Sequence, residues 1–371
     1  MENSEYFNER PLGSEMKKIV FLLILIFLSG SCNQEVYIVS TPKGCDVYNR
    51  KGKVVFSAGF DLLFFSDGLA EFDDTLNKIH GYIKENGKIA FLSDYSGVAF
   101  SEGLGSVFLS DSSCGFINKK GQLVLRPQYK GKSLICQRPG SSYFHEGRAG
   151  MCFRVNDSTT QTVYIAKNGK VAFDKEFIGG GDFNEGLASV WFLDSTHGYI
   201  DRRGHVKIML PAGHCGDDFS EGLAWIDEGD SCYLINKNGQ TICEKKFLRP
   251  WNFHNGRAEF KIEIDRNIFS GFINRKCETV IEPVYYQAFN FSDGLATMSK
   301  RVKNKYGHFD TYVLDVNGNV VLGPYRNVVI REFHNGVAPA QTRVLGDTCF
   351  KTFYITKKGK IFGEATHCYE D

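Results

Sequence analysis

A six-residue phrase recurs along almost the whole chain and constrains the fold more than any other feature. In its clearest copy it reads Phe219-Ser220-Glu221-Gly222-Leu223-Ala224. We call it the marker phrase, and its eight copies begin at Phe65, Phe100, Phe144, Phe183, Phe219, Phe253, Phe291 and Phe333. Each copy has Gly at its fourth position, and successive copies start about 38 residues apart. A fixed period of this length predicts a repeat array that folds as one continuous domain.

The residues that follow a marker phrase read as β-strands separated by turns. In the fifth copy, strands are predicted at Leu223–Asp227, Cys232–Asn236 and Gln240–Cys243, which are short, mostly apolar runs bounded by turn residues. The turns between them are Glu228-Gly229-Asp230 and Lys237-Asn238-Gly239. Each repeat is therefore predicted to form a three-stranded antiparallel β-meander.

The second turn of each repeat has a conserved shape within the chain. Asn238-Gly239 between two strands is typical of a type I′ hairpin, in which both turn residues have positive φ. Glycine holds the equivalent position in eight hairpins: Gly52, Gly87, Gly121, Gly169, Gly204, Gly239, Gly318 and Gly359. Cys277 takes this position in a ninth hairpin, where we expect an irregular or longer turn.

The marker phrase itself is predicted to join one meander to the next. Its Phe offers an apolar anchor between neighbouring units, its acidic residue can bond to nearby backbone N–H groups, and its Gly permits a tight turn. The predicted fold is all-β, with about eight three-stranded antiparallel β-meander repeats. A propeller-like ring is favoured because closure protects sheet edges, and an open β-superhelix or solenoid remains the alternative.

Both ends of the array bear on ring closure. A first hairpin, from Cys45 to Phe56, has no marker phrase before it, whereas the last copy is complete through Phe362. A ring that closes by sharing strands between its ends would need a partial last copy. The count therefore does not require strand exchange.

The N-terminal segment reads as an export signal. Met16-Lys17-Lys18 precedes the apolar run Ile19–Leu28, which is too short to cross a bilayer and fits the core of a secretory signal. The small residues that end in Cys32 resemble the lipobox of bacterial lipoproteins, with Leu28 one position further from the Cys than is usual. This resemblance implies that Cys32 is lipidated. The predicted segments are 1–31 as signal region (with 1–15 a misassigned start or a long polar lead), 32–44 as tether, 45–362 as repeat domain and 363–371 as C-terminal tail.

Three elements of the repeat together resemble the bacterial WG repeat family, also called the KWG repeat family. They are the marker phrase, the segment Gly198-Tyr199-Ile200-Asp201-Arg202-Arg203-Gly204, and a Pro-x-Tyr segment such as Pro283-Val284-Tyr285. The resemblance covers roughly residues 45–362. The Trp that names the family is replaced here by His80, Cys114, Thr162, His197, Cys232, Ser270, Thr311 and Thr352. The resemblance implies an exported or surface repeat protein that mediates binding.

Charge and cysteine usage exclude some function classes. The chain has 44 Lys+Arg and 43 Asp+Glu, scattered along the sequence without a basic block, so we expect no nucleic acid partner. Ten cysteines remain besides Cys32, without a Cys-x-x-Cys pair. We expect most of them to be half-buried thiols, with one or two disulfides left open and no zinc site.

Candidate chemical sites have simple readings within the repeat. His145, His254 and His334 follow a marker Phe, in a slot that Ser fills in other copies, so they are predicted to be surface turn residues and not metal ligands. Asp315–Asn319 faintly resembles a calcium loop, but it aligns with the ordinary hairpin turn. No phosphate-binding loop or Gly-x-Ser-x-Gly motif occurs, so we expect no cofactor, no metal and no catalytic residue.

Three tryptophans and the export signal suggest a function. Trp191, Trp225 and Trp251 lie in the central copies; stacking surfaces for a sugar or peptide are one reading, and core packing is the favoured one. We predict a non-catalytic binding or scaffold protein, lipid-anchored to a bacterial outer membrane or cell surface, whose ligand is a protein, a peptide or an envelope polymer such as a glycan. A cell-envelope hydrolase or lyase that uses a cleft of the ring is the alternative, and a purely structural envelope component is a third reading.

Overall fold

The computed structural model of the protein describes residues 36–41, 44–95, 99–109, 113–135, 143–156, 159–247, 250–302, 308–343 and 349–368. Within these ranges every regular element is a β-strand, and residues 34–371 form one compact unit. In the same ranges there is no helix long and apolar enough to span a membrane. The predicted lipidation site Cys32 lies outside the described residues.

The described strands form small antiparallel sheets that follow one another along the chain, and we number the main ones sheets 1 to 9. Sheet 1 contains β1 (Val36–Thr41), β2 (Gly44–Asn49) and β3 (Val54–Ala58). Sheet 2 contains β4 (Asp61–Ser66), β5 (Leu69–Asp74), β6 (Ile79–Lys84) and β7 (Ile89–Leu92). Sheet 3 contains β8 (Phe100–Ser101), β9 (Leu104–Phe108), β10 (Cys114–Asn118) and β11 (Leu123–Leu125). The short pair β12 (Gln128–Tyr129) and β13 (Lys132–Ser133) comes next.

The remaining sheets repeat the same plan. Sheet 4 contains β14 (Arg148–Arg154) and β15 (Thr160–Ala166). Sheet 5 contains β16 (Gly179–Gly180), β17 (Leu187–Trp191), β18 (His197–Asp201) and β19 (Val206–Met209). Sheet 6 contains β20 (Cys215–Gly216), β21 (Leu223–Asp227), β22 (Cys232–Asn236) and β23 (Thr241–Phe247). Sheet 7 contains β24 (Arg257–Ile264), β25 (Asn267–Asn274) and β26 (Thr279–Tyr285). Sheet 8 contains β27 (Gln287–Ala288), β28 (Leu295–Arg301), β29 (Phe309–Asp315) and β30 (Val320–Arg326), and sheet 9 contains β31 (Val328–Ile330), β32 (Val337–Arg343), β33 (Cys349–Thr356) and β34 (Ile361–Cys368).

The predicted all-β propeller-like arrangement is confirmed. Sheets 2 to 9 correspond to the eight marker phrases, and sheet 1 is the first hairpin that lacks one. In six of these eight sheets a short extra strand precedes the meander and pairs with it, so the sheet has four strands and not the predicted three. The reason is that the marker phrase is itself a tight hairpin, which folds the residues before its Phe back onto the next strand.

The ends of the array meet without exchanging a strand. In sheet 1 the Tyr37 hydroxyl donates to the carbonyl of His334, and in sheet 9 the Tyr354 hydroxyl donates to the carbonyl of Ile38, each at 2.7 Å. A Cβ on Gly52 would lie 2.9 Å from Phe362 in sheet 9, just as one on Gly87 would lie 2.8 Å from Phe56 in the preceding sheet. The interface between sheets 9 and 1 thus repeats the packing of the others. The ring is closed, and the open superhelix is excluded.

The sheets reach beyond the predicted limits of the repeat domain. Strand β1 begins at Val36, inside the stretch predicted to be a tether, and pairs with β2 along its whole length. Strand β34 continues through Cys368, inside the stretch predicted to be a tail, because Cys368 lies opposite Cys349 on β33 and is disulfide-bonded to it. Both corrections have the same cause, since the end strands are needed to complete sheets 1 and 9.

The hairpin turns do not have the predicted type I′ geometry, which occurs in the marker turns instead. In the hairpin of sheet 6, Gly239 has a φ of 78° but Asn238 does not have positive φ, and the strand register shifts beside the turn. This is a type I turn followed by a left-handed Gly, and the type I′ prediction was wrong for it. The type I′ geometry belongs to the marker phrase, where Glu221 and Gly222 have φ of 53° and 79°.

Cys277 also departs from the prediction. Its N–H donates to the carbonyl of Asn274 at 2.9 Å, as Gly239 does to Asn236 in sheet 6, and its φ is 62°. The turn is therefore regular although its residue is not Gly. Cys277 is disulfide-bonded to Cys243 on β23, so a covalent bond joins sheets 6 and 7 where the other hairpins have a Gly packed against the preceding sheet.

More cysteines are oxidised than the sequence suggested. Besides Cys243–Cys277 and Cys349–Cys368, Cys114 is also disulfide-bonded. At least five of the ten cysteines are thus in disulfides, and the prediction that most are thiols was wrong. Repeat position gave no guide to the pairing, because Cys243 and Cys277 occupy different slots of neighbouring repeats.

The marker Phe fills the interface between neighbouring sheets, as predicted. Phe219 is buried, and its ring lies 4.8 Å from the ring of Tyr199 on β18 of the preceding sheet. The same pairing joins Tyr164 to Phe183 at 5.1 Å. These edge-on aromatic pairs add to the burial of each ring.

The marker acid bonds to a backbone N–H, as predicted, and that N–H belongs to the marker turn of the next sheet. The Glu185 carboxylate accepts the N–H of Gly222 in the next marker phrase at 2.8 Å. Equivalent bonds occur at all seven interfaces between marker-bearing sheets, and their acceptor–donor pairs are Asp67–Gly103, Glu102–Gly147, Glu146–Gly186, Glu185–Gly222, Glu221–Gly256, Asn255–Gly294 and Asp293–Gly336. The marker phrase recurs because each of these seven interfaces contains this hydrogen bond.

Candidate functional site

The three histidines of the marker phrases are not brought together. His145 lies with its Nε2 3.4 Å from an Oδ2 of Asp182 in the next sheet, and burial lowers the pKa of His254. His334 approaches the Ser292 hydroxyl of the preceding sheet at 3.4 Å. Across the described ranges, no group of three or more His, Cys, Asp or Glu residues is placed to hold a metal ion. His145 and His334 therefore contact a neighbouring sheet from their turns.

Asp315–Asn319 forms the hairpin turn that its alignment predicts. The Asp315 carboxylate accepts the N–H groups of Asn317 and Asn319, each at 2.9 Å. These bonds lower the pKa of Asp315 together with a bond from the Asn319 side chain, which is the largest contribution. A carboxylate occupied in this way stabilises the turn.

The slot that holds Trp in the WG family holds buried polar pairs here. In sheet 5, His197 Nδ1 accepts the N–H of Gly216 at 3.1 Å, so Nε2 carries the proton and faces the Ser189 hydroxyl at 3.2 Å. That hydroxyl donates to the carbonyl of Gly216 at 2.8 Å. Burial lowers the pKa of His197, which keeps the ring neutral. The imidazole cannot take the hydroxyl proton in this arrangement, so Ser189 and His197 are not a nucleophile and its base.

The three tryptophans divide into one core residue and two exposed ones. Trp225 is 1% exposed and packs against Phe247 and Phe253, as the core reading predicted. Trp191 and Trp251 are 42% and 40% exposed. Trp225 donates its indole N–H to the carbonyl of Trp251 at 2.9 Å and so fixes the backbone that carries the exposed ring.

A cavity of about 390 Å³ lies beside Trp251, between sheets 6 and 7. Gly216, Asp217 and Asp218 line one side, and Pro250, Trp251 and Asn252 line the other. Trp251 is therefore the tryptophan whose place fits a binding surface. The volume is in the range of small-molecule sites, and the lining residues include two aspartates, an asparagine and a tryptophan.

The aspartate side of the cavity is shaped by the neighbouring sheet. The Tyr199 hydroxyl donates to the carbonyl of Asp217 at 2.7 Å. A Cβ on Gly216 would lie 2.0 Å from that hydroxyl oxygen, so the tyrosine can reach the backbone only where the residue is Gly. Tyr164, Gly180 and Gly181 form the same arrangement in the preceding pair of sheets. The wall of the cavity thus uses the general repeat framework.

The carboxyl groups near the cavity hold their protons more tightly than usual. Burial, reinforced by the nearby charge of Asp182, raises the pKa of Asp218 to about 6. Burial also raises the pKa of Asp217, with a smaller effect from Asp227. Burial raises the pKa of Asp182 as well, although the charge of His145 opposes this shift. The Asn184 amide donates to Asp218 at 3.0 Å, which fixes one oxygen of that carboxylate.

Sequence reasoning missed Asp182, Asp217 and Asp218 because it compared the copies within the marker phrase and not in front of it. The residue directly before the marker Phe differs from copy to copy: Phe64, Ala99, Tyr143, Asp182, Asp218, Asn252, Asn290 and Glu332. This variation beside an invariant Phe was the available signal. At this position the first three copies have an aromatic or apolar residue, and the later five have an acidic or amide residue.

The similarity to solved structures supports the fold alone. A crystal structure of the eukaryotic initiation factor matches 90% of this chain and 96% of its own, at 11% identity and a TM-score of 0.62. The computationally designed Ika8 protein matches 81% of this chain and 93% of its own, at 11% identity and a TM-score of 0.43. BamB from Moraxella catarrhalis matches 92% and 98%, at 8% identity and a TM-score of 0.39.

Comparison at the level of sequence identifies the repeat. No curated protein matches the chain. The family model described as WG containing repeat matches residues 115–131 and 271–306. The first match covers most of β10 together with β11 and β12, and the second runs from within β25 of sheet 7 through β28 of sheet 8, including the marker phrase at Phe291. The WG containing repeat model thus matches two stretches of the repeat array, in agreement with the resemblance that the marker phrases and Gly-Tyr-Ile-Asp segments indicated.

Proposed function

We propose that the protein is a non-catalytic binding module that is exported, is tethered to a bacterial membrane by a lipid on Cys32, and takes its ligand at the cavity between sheets 6 and 7. The ligand is a protein, a peptide or an envelope polymer. The observation that carries this proposal is the cavity itself, which Trp251, Asp217 and Asp218 line together.

The chemistry of the lining suggests how such a ligand is held. A half-exposed indole offers an apolar stacking face, and carboxylate and amide oxygens accept hydrogen bonds from hydroxyl, amide or ammonium groups. Sugar rings and peptide segments both present an apolar face next to such donors. The rigid support of Trp251 by Trp225 reduces the entropy lost on binding.

Disulfide bonds support the proposed export. Cys243–Cys277 joins sheets 6 and 7, and Cys349–Cys368 joins the last two strands of sheet 9; such bonds persist in oxidising compartments outside the cytosol. The signal-like segment before Cys32 points to the same address. Replacing Cys32 by Ala and fractionating cells tests the tether: the variant should leave the membrane fraction and lose lipid labelling, whereas unchanged retention and labelling would reject lipidation.

Capture from envelope extracts tests the binding function. The chain from residue 33 onward contains every described strand, so it serves as the bait without its lipid. The wild type should retain a specific partner that the double variant Asp217→Asn, Trp251→Ala does not retain. Trp191→Ala is the matched control, because it removes an equally exposed indole that does not line the cavity. Equal capture by all three baits, or by none, would reject the cavity as the binding site.

A hydrolase of envelope glycans is the second candidate, and Asp218 is the residue that favours it. Its pKa of about 6 suits a general acid, and Asp182 provides a second carboxyl group nearby. Against this reading, the two groups have structural partners, the Asn184 amide for Asp218 and the His145 ring for Asp182. Release of reducing ends from purified envelope glycan, abolished by Asp218→Asn, would replace the binding proposal with this one.

A further inference from the structure

All the hairpin turns lie at one end of the sheets, together with the marker turns. In sheet 6, Leu223, which directly follows the marker turn, pairs with Asn236, which begins the hairpin turn. The other sheets with a marker phrase repeat this pairing. Contacts between neighbouring sheets join the two kinds of turn, since the Lys237 ammonium in one hairpin lies 2.9 Å from the Glu185 carboxylate of the preceding marker turn. In a closed ring these turns therefore make up one face.

This face has an excess of basic residues although the chain as a whole is almost neutral. The nine hairpin turns, taken as the four-residue windows 50–53, 85–88, 119–122, 167–170, 202–205, 237–240, 275–278, 316–319 and 357–360, contain 16 Lys or Arg and two acidic residues, and the marker turns on the same face add six acidic residues. Fifteen of the 16 are exposed and Lys357 is half-buried. We call this surface the basic face. It was invisible in the sequence, where each turn contributes at most three basic residues.

The marker acids neutralise one class of these residues and leave another uncompensated. The first residue of the turn pairs with the acid of the preceding sheet, as Lys119 does with Asp67 at 2.7 Å. Among the described residues, the second residue of the turn has no such pair where it is basic, at Lys51, Lys120, Arg203, Lys276 and Lys358. At the other end of the sheets the described turns carry the acidic residues Asp194, Glu228, Asp230 and Asp265 against Lys78 and Arg266. Among the described turns, the basic residues are therefore concentrated at the hairpin end of the sheets.

The chain also enters the ring on the basic face. Val36, the first residue of β1, pairs with Asn49, which begins the hairpin turn of sheet 1. Val36 therefore takes the place that Leu223 has in sheet 6. Val36 is the fourth residue after Cys32, and a fully extended chain of this length spans at most about 14 Å. The six residues of β1 span about 17 Å, so a lipid on Cys32 reaches the basic face more easily than the opposite one.

We propose that the basic face docks on an anionic phospholipid bilayer. The step from Cys32 to this face rests on the proposed lipidation, whereas the charge distribution is independent of it. Basic residues near an anionic bilayer surface attract it through its negative potential, and one lipid chain holds a protein only marginally without a second signal of this kind. A nucleic acid would fit the same charge, but it gives no reason for the chain to begin on this face.

Vesicle sedimentation of the unlipidated chain from residue 33 onward tests the proposal apart from the tether and the cavity. The chain should bind phosphatidylcholine vesicles that contain phosphatidylglycerol, and not vesicles of phosphatidylcholine alone, with affinity that falls as salt is raised. Replacing Lys120, Arg203 and Lys276 by Gln should weaken binding about tenfold or more. The matched control replaces Lys132, Arg154 and Lys207 by Gln, which are exposed and lie outside the hairpin turns, and it should bind as the wild type does.

Three results would overturn the proposal. Equal binding to both kinds of vesicle would show that charge is not the cause, and equal weakening in the control variant would show that the basic face is not the site. Tighter binding to duplex DNA than to the anionic vesicles at the same salt would assign the face to nucleic acid. Because this chain carries no lipid and keeps its cavity, none of these results bears on Cys32 or on the ligand of Trp251.

Discussion

The Gly222 N–H donates to the Glu185 carboxylate at 2.8 Å, across the interface between sheets 5 and 6. Glu185 has a φ of 53°, a conformation that costs a residue other than Gly about 1 kcal/mol. The carboxylate compensates by accepting this N–H and by pairing with Lys237 at 2.9 Å. The marker phrase therefore keeps an acid where turn geometry alone would favour Asn or Gly.

Replacing Glu185 by Ala should lower the free energy of unfolding by about 1 kcal/mol, because a partly exposed charge-assisted bond and its ion pair are lost while the positive φ remains. Urea unfolding measures the difference. Glu185→Asn is the control, since Asn255 accepts the equivalent N–H of Gly294 at 2.7 Å and Asn tolerates positive φ. It should cost less than Ala, and an Ala variant as stable as the wild type would show that the contact contributes nothing.

How much of this could be predicted from the sequence depends on the range of the interaction. The period, the strands and the Phe anchors could be predicted, because the residues that determine them lie close together in sequence. The partner of Glu185 was missed because a period does not say whether an acid bonds to its own turn or to the next one. The cavity was missed for the same reason, since Asp218 and Trp251 come from different repeats and meet only when sheets 6 and 7 pack together.

Replacing Gly180 by Ala should destabilise the protein by about 1–3 kcal/mol, because its Cβ would lie 2.3 Å from the Tyr164 hydroxyl oxygen. Tyr164→Phe removes that oxygen together with its bond to the carbonyl of Gly181, at a cost of about 1 kcal/mol. In the double variant the clash is largely relieved, so the two losses should not add. Thermal unfolding of the three variants checks this, and simple additivity would contradict it.

The pH dependence of stability should report on Asp218. Its folded-state pKa of about 6 lies above the usual value for Asp, so the folded state binds more protons than the unfolded state between about pH 4 and 6. This contribution to stability is present below the unfolded pKa and is lost as the pH rises through about 6. At pH 7, denaturant unfolding should give Asp218→Asn a free energy of unfolding about 1 kcal/mol above that of the wild type. The stability of this variant should also depend less on pH between about pH 4 and 6. An unchanged profile would place the titration elsewhere.

Cys277 offers a test of turn geometry that is separate from its disulfide. Both Cys277→Gly and Cys277→Ala remove the bond to Cys243, but only Gly suits the φ of 62° at this position. The free energy of unfolding of the Gly variant should therefore exceed that of the Ala variant by about 1 kcal/mol. The Gly variant should also melt at a higher temperature. Scanning calorimetry under identical conditions measures it, and equal melting temperatures would mean that the turn relaxes when the disulfide is absent.

Closure of the ring is the claim on which both the cavity and the basic face depend, because it fixes which turns share a face and which sheets are neighbours. Small-angle X-ray scattering of the monomeric chain from residue 33 onward tests it most directly. A closed and compact ring of this length should have a radius of gyration of about 20 Å. A radius near or above about 30 Å, with an elongated distance distribution, would contradict closure and return the open superhelix.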